Sequence, residues 1–247
     1  ADLTAANNVL AHVPDINDFV AGFAILLAPE GVATFEFPHL LNMVRESQFD
    51  TAYHEHYSYL SLTAVARIFA ENGLKVFDVE TTPWHGGSLR VFACRAGAET
   101  RPVQASVASM LETEAEAGMG EEAFHANFQA EARRVRNDFV AYLIECARKN
   151  LSVAAYGAAA KGNTLLNFAG IKPDLIRFVV DKNPAKQGLF MPGSRIPIVD
   201  ETRLKAAKPD RVVILPWNIQ TEIMNQLSYI RDWDGKFVTA IPTLTEH

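Results

Sequence analysis

Cysteine is scarce in this sequence. Cys94 and Cys146 are the only two, they lie far apart, and neither belongs to a CxxC pair, so a zinc knuckle and a dithiol redox pair are both excluded. Both are expected as reduced core residues. No apolar run approaches the roughly 18 residues needed to cross a bilayer. The opening "ADLTAANNVLAHVP" has no cationic stretch followed by an apolar one, which argues against a signal peptide and for a cytoplasmic location. Basic residues do not gather into a strip either. With 23 Lys and Arg against 29 Asp and Glu, a net charge of -6, neither nucleic acid nor a membrane is expected as a partner. A Walker loop and a full GxGxxG dinucleotide fingerprint are also missing.

What is present is a globular composition, 49 % hydrophobic and 21 % charged over 247 residues, enough for one large domain or two of usual size. Period and composition separate three zones, 1–100, 101–150 and 151–247. In the first, "LTAANNVLAHV" and "GVATFEFP" read as short buried strands around a helix over "INDFVAGFAILLAPEG", with Asp15 or Asn17 near its start and Gly31 after its end. "SLTAVARIFAENGLKVFDVETT" repeats the pattern, with Ser61 as N-cap, Val65, Ile68 and Phe69 on one face, Gly73 as C-cap and a strand beyond; "SLRVFACR" is a further strand. Ala, Glu and Arg dominate the second zone, where "VQASVASMLETEAEAG" and "GEEAFHANFQAEARRVRNDFVAYLIECARKN" read as two helices that connect or brace domains. From Leu151 onward strands such as "SVAAYG", "IRFVVD", "RVVILPW" and "KFVTAIP" alternate with helices such as "AAKGNTLLNFAGI", "ETRLKAAKP" and "IQTEIMNQLSYIRDW". Units this short predict right-handed parallel crossovers and a doubly wound α/β sheet that binds ligands at the carboxyl ends of its strands.

Three stretches could carry chemistry. In "YGAAAKGNT" a strand leads into a helix through small residues, and Lys161, Gly162, Asn163 and Thr164 offer a charge and donors where a helix N-terminus favours an anion; the alternative is a tight turn whose glycines serve packing alone. Asp181 ends the next strand, either to receive a ribose or base hydroxyl or simply to start a turn. In "HGGSLR", Gly86, Gly87 and Ser88 permit close approach of a ligand or merely a bulged start to the strand, and Arg90 points to the face opposite Leu89 and Val91. "FDTAYHEHYSY", residues 49–59, is the densest. His54 and His56 at i, i+2 could share a metal only from an extended segment, and no further Cys/His pair exists, so no metal is expected. An imidazole titrates near about pH 6.5 and can take a proton, and a tyrosine hydroxyl can donate to a developing oxyanion. The stretch therefore reads as a base with orienting partners, with a structural role as the alternative.

Taken in order, "NVLAHVPD", "FEFPHL", "FDTAYHEHYSYLSL", "GLKVFDVE", "HGGSLRVF" and "YGAAAKGNTLLN" resemble the S-adenosylmethionine-dependent sugar C-methyltransferases, in particular those that methylate the third carbon of a dTDP-4-keto-deoxysugar. The resemblance covers nearly the whole chain. It implies an α/β fold: the C-terminal half of a Rossmann-like class I methyltransferase sheet over 1–100, a helical connector over 101–150, and a second Rossmann-like, doubly wound domain facing the nucleotide sugar over 151–247. It implies His56 as the general base that removes the proton beside the ketone, Glu55 as its neighbour, Tyr53 as the group that steadies the enolate or places the sugar, and His54 as structural. His12 would face the pocket near the methyl donor, with Asn8. The nucleotide sugar would meet Lys161, Gly162, Asn163, Thr164, Gly86, Gly87, Ser88, Arg90 and Asp181.

The expected cofactor is S-adenosylmethionine and the expected partner a dTDP-sugar-like substrate, on a monomer or homodimer. Complete members of the family begin with a cysteine-rich zinc domain and the first half of the methyltransferase sheet, neither of which is in this sequence. Asp2 and Asn7 to His12 would be what the chain keeps of the donor site, so weak or no binding of S-adenosylmethionine is expected of this chain alone. Two other functions are compatible with the residues: a non-catalytic nucleotide or nucleotide-sugar binding module, and an NAD-linked oxidoreductase, which the missing GxGxxG disfavours.

Overall fold

The computed structural model of the chain describes residues 1–98 and 100–247. It divides into two compact units, one formed by Ala1–Arg45 and His54–Asn127, the other by Glu46–Tyr53 and Phe128–His247.

The first unit starts with β1 (Leu3–Asn7), α1 (Ile16–Leu26) and β2 (Val32–Pro38). Asp15 caps α1 by accepting from the Asp18 amide at 3.0 Å. β1 stops at Asn7, shorter than the apolar pattern predicts. Asn8 adopts φ +56°, a conformation that Asn tolerates better than most residues, and the chain continues as a single 3-10 turn, Leu10–His12. There follow α2 (Leu40–Arg45), α3 (Leu62–Glu71), β3 (Leu74–Thr82), β4 (Ser88–Arg95), α4 (Ala105–Glu116) and α5 (Glu122–Ala126). Ser61 caps α3 through the Ala64 amide at 3.1 Å, and Gly73, at φ +77°, lets the chain leave that helix. The sheet order is β1-β2-β4-β3, with β1 and β2 parallel and the two later pairings antiparallel. Leu89, Val91 and Ala93 alternate into a core with Phe35, Phe37 and Phe69, all fully buried.

The second unit opens on α6 (Phe128–Arg148), continues with β5 (Val153–Tyr156), α7 (Ala160–Phe168), β6 (Val179–Val180), β7 (Ile198–Val199), α8 (Glu201–Ala207), β8 (Arg211–Ile214) and α9 (Gln220–Gln226), and ends with β9 (Lys236–Thr239) and β10 (Thr245–Glu246). Its strands lie in the order β10-β9-β8-β5-β6-β7; all pairings except β10 to β9 are parallel. The chain begins in the middle at β5 and winds outward to both sides, the doubly wound α/β arrangement expected from the alternating pattern. Both sheet faces are covered. Val153, Ala155, Val179 and Val213 join the core beneath α6, whereas Ala154, Tyr156, Val180 and Val212 join the core on the other face.

Some elements differ from the sequence reading. The single helix expected before residue 150 is two helices, α5 and α6, which fall in different units. The "IQTEIMNQLSYIRDW" helix reduces to α9 followed by a 3-10 stretch, Ser228–Trp233. β7 and β10, two residues each, are too short to show a period.

Candidate active site

At the carboxyl ends of β1 and β2 the first unit gathers three of its histidines. The Asn8 amide donates to the Glu36 carbonyl at 2.7 Å, which turns the chain over the end of β2 into the Leu10–His12 turn. From that turn the Ala11 carbonyl accepts two amides, Tyr57 at 2.8 Å and Ser58 at 3.3 Å. The segment after the second histidine of "YHEH" is thus tied to the residue before His12, and the His12 and His56 rings meet edge to face, centroids 4.7 Å apart at 68°. Tyr59 lies edge-on to His56 at 6.1 Å, and partial burial raises its phenol above the usual range. His54 and Glu55 are exposed. Tyr53 belongs to the second unit, so the motif is divided between Tyr53 and His54.

His85, which no sequence motif singles out, joins this region. Its Nε2 lies 3.3 Å from the Asn8 side-chain nitrogen, and both residues hold left-handed backbones, φ +59° and +56°. Such conformations cost energy at non-glycine residues and collect at functional sites. After it come Gly86 and Gly87. Gly87 holds φ +101°, a backbone that side chains rarely adopt, and a side chain there would also meet the Asn42 side-chain nitrogen, so the local backbone accounts for that glycine; the buried Ser88 hydroxyl donates to the Trp84 carbonyl. Arg90 sits on the face opposite Leu89 and Val91, as the alternation requires, directly across from Glu36 and Glu80. It donates twice to the Glu36 carboxylate, at 2.7 and 3.1 Å, with Glu80 at 3.9 Å, a cross-strand row that occupies its guanidinium.

In the second unit the turn after β5 is built by packing. A side chain at Gly157 would stand 2.5 Å from the Pro216 ring, and one at Gly162 would stand 2.7 Å from Leu215. Asn163 accepts from the Asn167 amide group, and the Thr164 hydroxyl donates to the Ala160 carbonyl. Asp181 holds the turn: its carboxylate accepts from the Ala158 and Asn183 amides at 2.8 Å, while Lys186 bridges it to the Ala158 carbonyl. Lys161 lies with its ammonium 4.6 Å above the Trp217 ring. Burial lowers its pKa, and the nearby Asp50 carboxylate opposes that shift.

Asp50 itself was missed in the sequence. It is fully buried, it accepts from the Trp217 indole N–H at 2.8 Å, and desolvation raises its pKa to about 6 against the opposing pull of Lys161 and Trp217. Its partner stands 167 positions away, and no local pattern announces such a pair.

Among the described residues no three His, Cys, Asp or Glu side chains converge as a metal site, and no helix is long and apolar enough to cross a membrane. The residues at the ends of β1 and β2 fit part of a sulfonium donor. The His12 imidazole can hydrogen-bond its polar groups, whereas the Asn8 backbone amide is on the Glu36 carbonyl, the Asn8 side chain lies against His85, and the Glu36 carboxylate is taken by Arg90.

Comparison with known proteins agrees with the six motifs. A family model described as the C-methyltransferase C-terminal domain matches residues 83–242. The C-methyltransferase NovU of Streptomyces niveus is 38 % identical over 242 residues, which is 98 % of this chain and 57 % of that protein. The chain thus spans less than two thirds of that relative's length. With a domain match over more than half of its residues and a relative aligned along nearly all of them, the chain belongs to the C-methyltransferase family.

Proposed function

We propose that the chain is the substrate-handling part of an S-adenosylmethionine-dependent C-methyltransferase acting on a nucleotide-linked keto-deoxysugar. The observation that carries this reading is the His12–His56 contact, held by two amides on the Ala11 carbonyl at the carboxyl end of a parallel strand pair. A ketone acidifies the neighbouring C–H. His56, half-buried and edge-on to a second imidazole, is the base that removes that proton; His12 orients it, and Glu55 stands beside it in the sequence. Tyr53 has the part the resemblance implies, a hydroxyl donated to the enolate oxygen. The bound sulfonium supplies an electrophilic methyl group for the enolate carbon. This chain's own task is to form the enolate, hold it in place and keep water from returning the proton.

Contacts to the nucleotide sugar are supported less directly. Lys161 brings the positive charge in the "GAAAKGNT" turn, while Gly87, Ser88, Arg90, Gly162 and Asp181 each already serve packing or internal hydrogen bonds.

His56→Ala is expected to abolish solvent-deuterium exchange at the carbon beside the ketone while leaving nucleotide-sugar affinity nearly unchanged. Wild-type exchange in that variant would remove His56 from the mechanism.

A further inference from the structure

The segment Glu46–Tyr53 belongs to the second unit although the residues on both sides of it belong to the first. It is polar in sequence and yet withdrawn from water: Ser47, Gln48, Asp50 and Thr51 are all buried. Its backbone is a string of tight turns, with Phe49, Thr51, Ala52 and Tyr53 amides donating to carbonyls two or three residues back. Short-range bonds of this kind do not fix a segment against a domain. Two contacts do. The Phe49 ring packs 5.2 Å from Phe168 at the end of α7, and the Asp50 carboxylate receives the Trp217 indole N–H at 2.8 Å. The face of the same indole carries the Lys161 ammonium. Asp50 Oδ1, by contrast, is buried without a hydrogen-bond partner. A carboxylate placed this way is a poor device for stability, since burial disfavours its charged form more than its partners favour it. What it does supply is a directional anchor three residues before Tyr53.

We propose that Asp50 is a positioning residue, whose hydrogen bond to Trp217, beside Lys161, fixes the 46–53 segment within the second unit and so holds Tyr53 at the end of that segment. For its catalytic consequence this rests on the function proposed above. The charged group acting on Asp50 from α7 is Lys161, and the 3-10 turn Trp217–Ile219 brings no titratable side chain. Removing the anchor should therefore loosen the segment locally, and a displacement of about 1 Å at a reacting group costs up to roughly a hundredfold in rate.

The test uses the complete protein with Asp50→Ala and Asp50→Asn. Asparagine still offers an oxygen to the indole; alanine offers none. In Asp50→Ala, amide hydrogen exchange over residues 49–53 is expected to accelerate about tenfold while β5 and β8 keep their protection. In the same variant kcat for deuterium wash-in is expected to fall roughly tenfold to a hundredfold with KM little changed. Asp50→Asn should keep most of both and shift the acid limb of the pH profile. Wild-type exchange over 49–53 in Asp50→Ala, or an asparagine variant as impaired as the alanine one, overturns the proposal. A merely structural role would lower the melting temperature and leave kcat alone. Should Asp50→Ala not fold, Trp217→Phe removes the donor while filling the core, and the same local loosening is expected. A wild-type protein inactive on every keto sugar would sink the proposed function, whereas the amide exchange decides the anchor independently.

Discussion

Glu114 in the first unit and Asp50 in the second are carboxylates withdrawn from water to the same degree, 1 % and 0 % exposed, yet their acidities move in opposite directions. For Glu114, burial alone raises the pKa, but four donors overcome it: His39 at 2.8 Å, the Leu62 amide at 2.6 Å, and the Thr63 amide and hydroxyl at 2.8 and 2.6 Å. The net shift is downward. For Asp50 the Lys161 charge, the Trp217 indole and the Asp50 and Thr51 amides all favour the carboxylate, yet desolvation outweighs them and it is pushed up to about 6. Burial sets the penalty, and whether the groups favouring the charged form outweigh it decides the sign of the shift. The roles divide accordingly. Glu114, from α4, satisfies the first amides of α3 and is a device for stability. Asp50 is tolerated at a cost, which is what a residue kept for position looks like.

The largest effect expected from this contrast is the loss of Glu114. Glu114→Ala strands two amides and a buried histidine, and should lower stability by about 3 kcal/mol in urea denaturation. A loss no larger than that from an exposed carboxylate would end the comparison on the first unit's side.

The next effect is smaller and separates the two by pH. Asp50 binds its proton more tightly folded than unfolded, so the stability it contributes is full below the unfolded pKa of about 4 and is lost as the pH rises to about 6. A span of two pH units corresponds to an upper limit of about 2.7 kcal/mol. Glu114 behaves in the reverse sense, contributing above its unfolded pKa and losing that contribution as the pH falls through its lowered folded value. Asp50→Asn should therefore stabilise at pH 7.5, by about 1 kcal/mol after the loss of the Lys161 attraction, and the gain should vanish near pH 4. Urea midpoints of the two proteins between pH 4 and 8 give the difference directly. A gain independent of pH would show that Asp50 does not titrate in this window.

The same contrast explains what could be read from the residues alone. Strand and helix alternation in 151–247 depends on local period, so the doubly wound sheet was legible, as were the caps Asp15 and Ser61, whose partners lie three residues on. The family was legible because its motifs are contiguous strings. Where meaning depended on a partner far along the chain, it was not. Nothing near Gly157 or Gly162 says that Pro216 and Leu215 fill the space a side chain would need, and nothing near Asp50 points to Trp217. Arg90 could be assigned a face from alternation, but its engagement with Glu36 depends on strand order, which period does not reveal. His85 was not legible because its left-handed backbone has no signature in the neighbouring residues, and its contact with Asn8 spans 77 positions.

The smallest effect fixes the exposed end of the scale. Glu71 pairs with Arg67 one turn earlier on α3 at 3.0 Å, but the two side chains are 59 % and 82 % exposed. Water already solvates both charges, salt screens their attraction, and two long side chains must be ordered to make the contact. With Arg four residues before Glu, the order is also the less favourable one on a helix. Glu71→Gln should change stability by no more than about 0.5 kcal/mol, and less again in 0.5 M salt. If it cost as much as Glu114→Ala, hydrogen-bond donors could no longer be held responsible for the difference between carboxylates. The comparison between Glu114 and Asp50 would then have to be rebuilt on long-range charge, which salt titration of all three variants would expose.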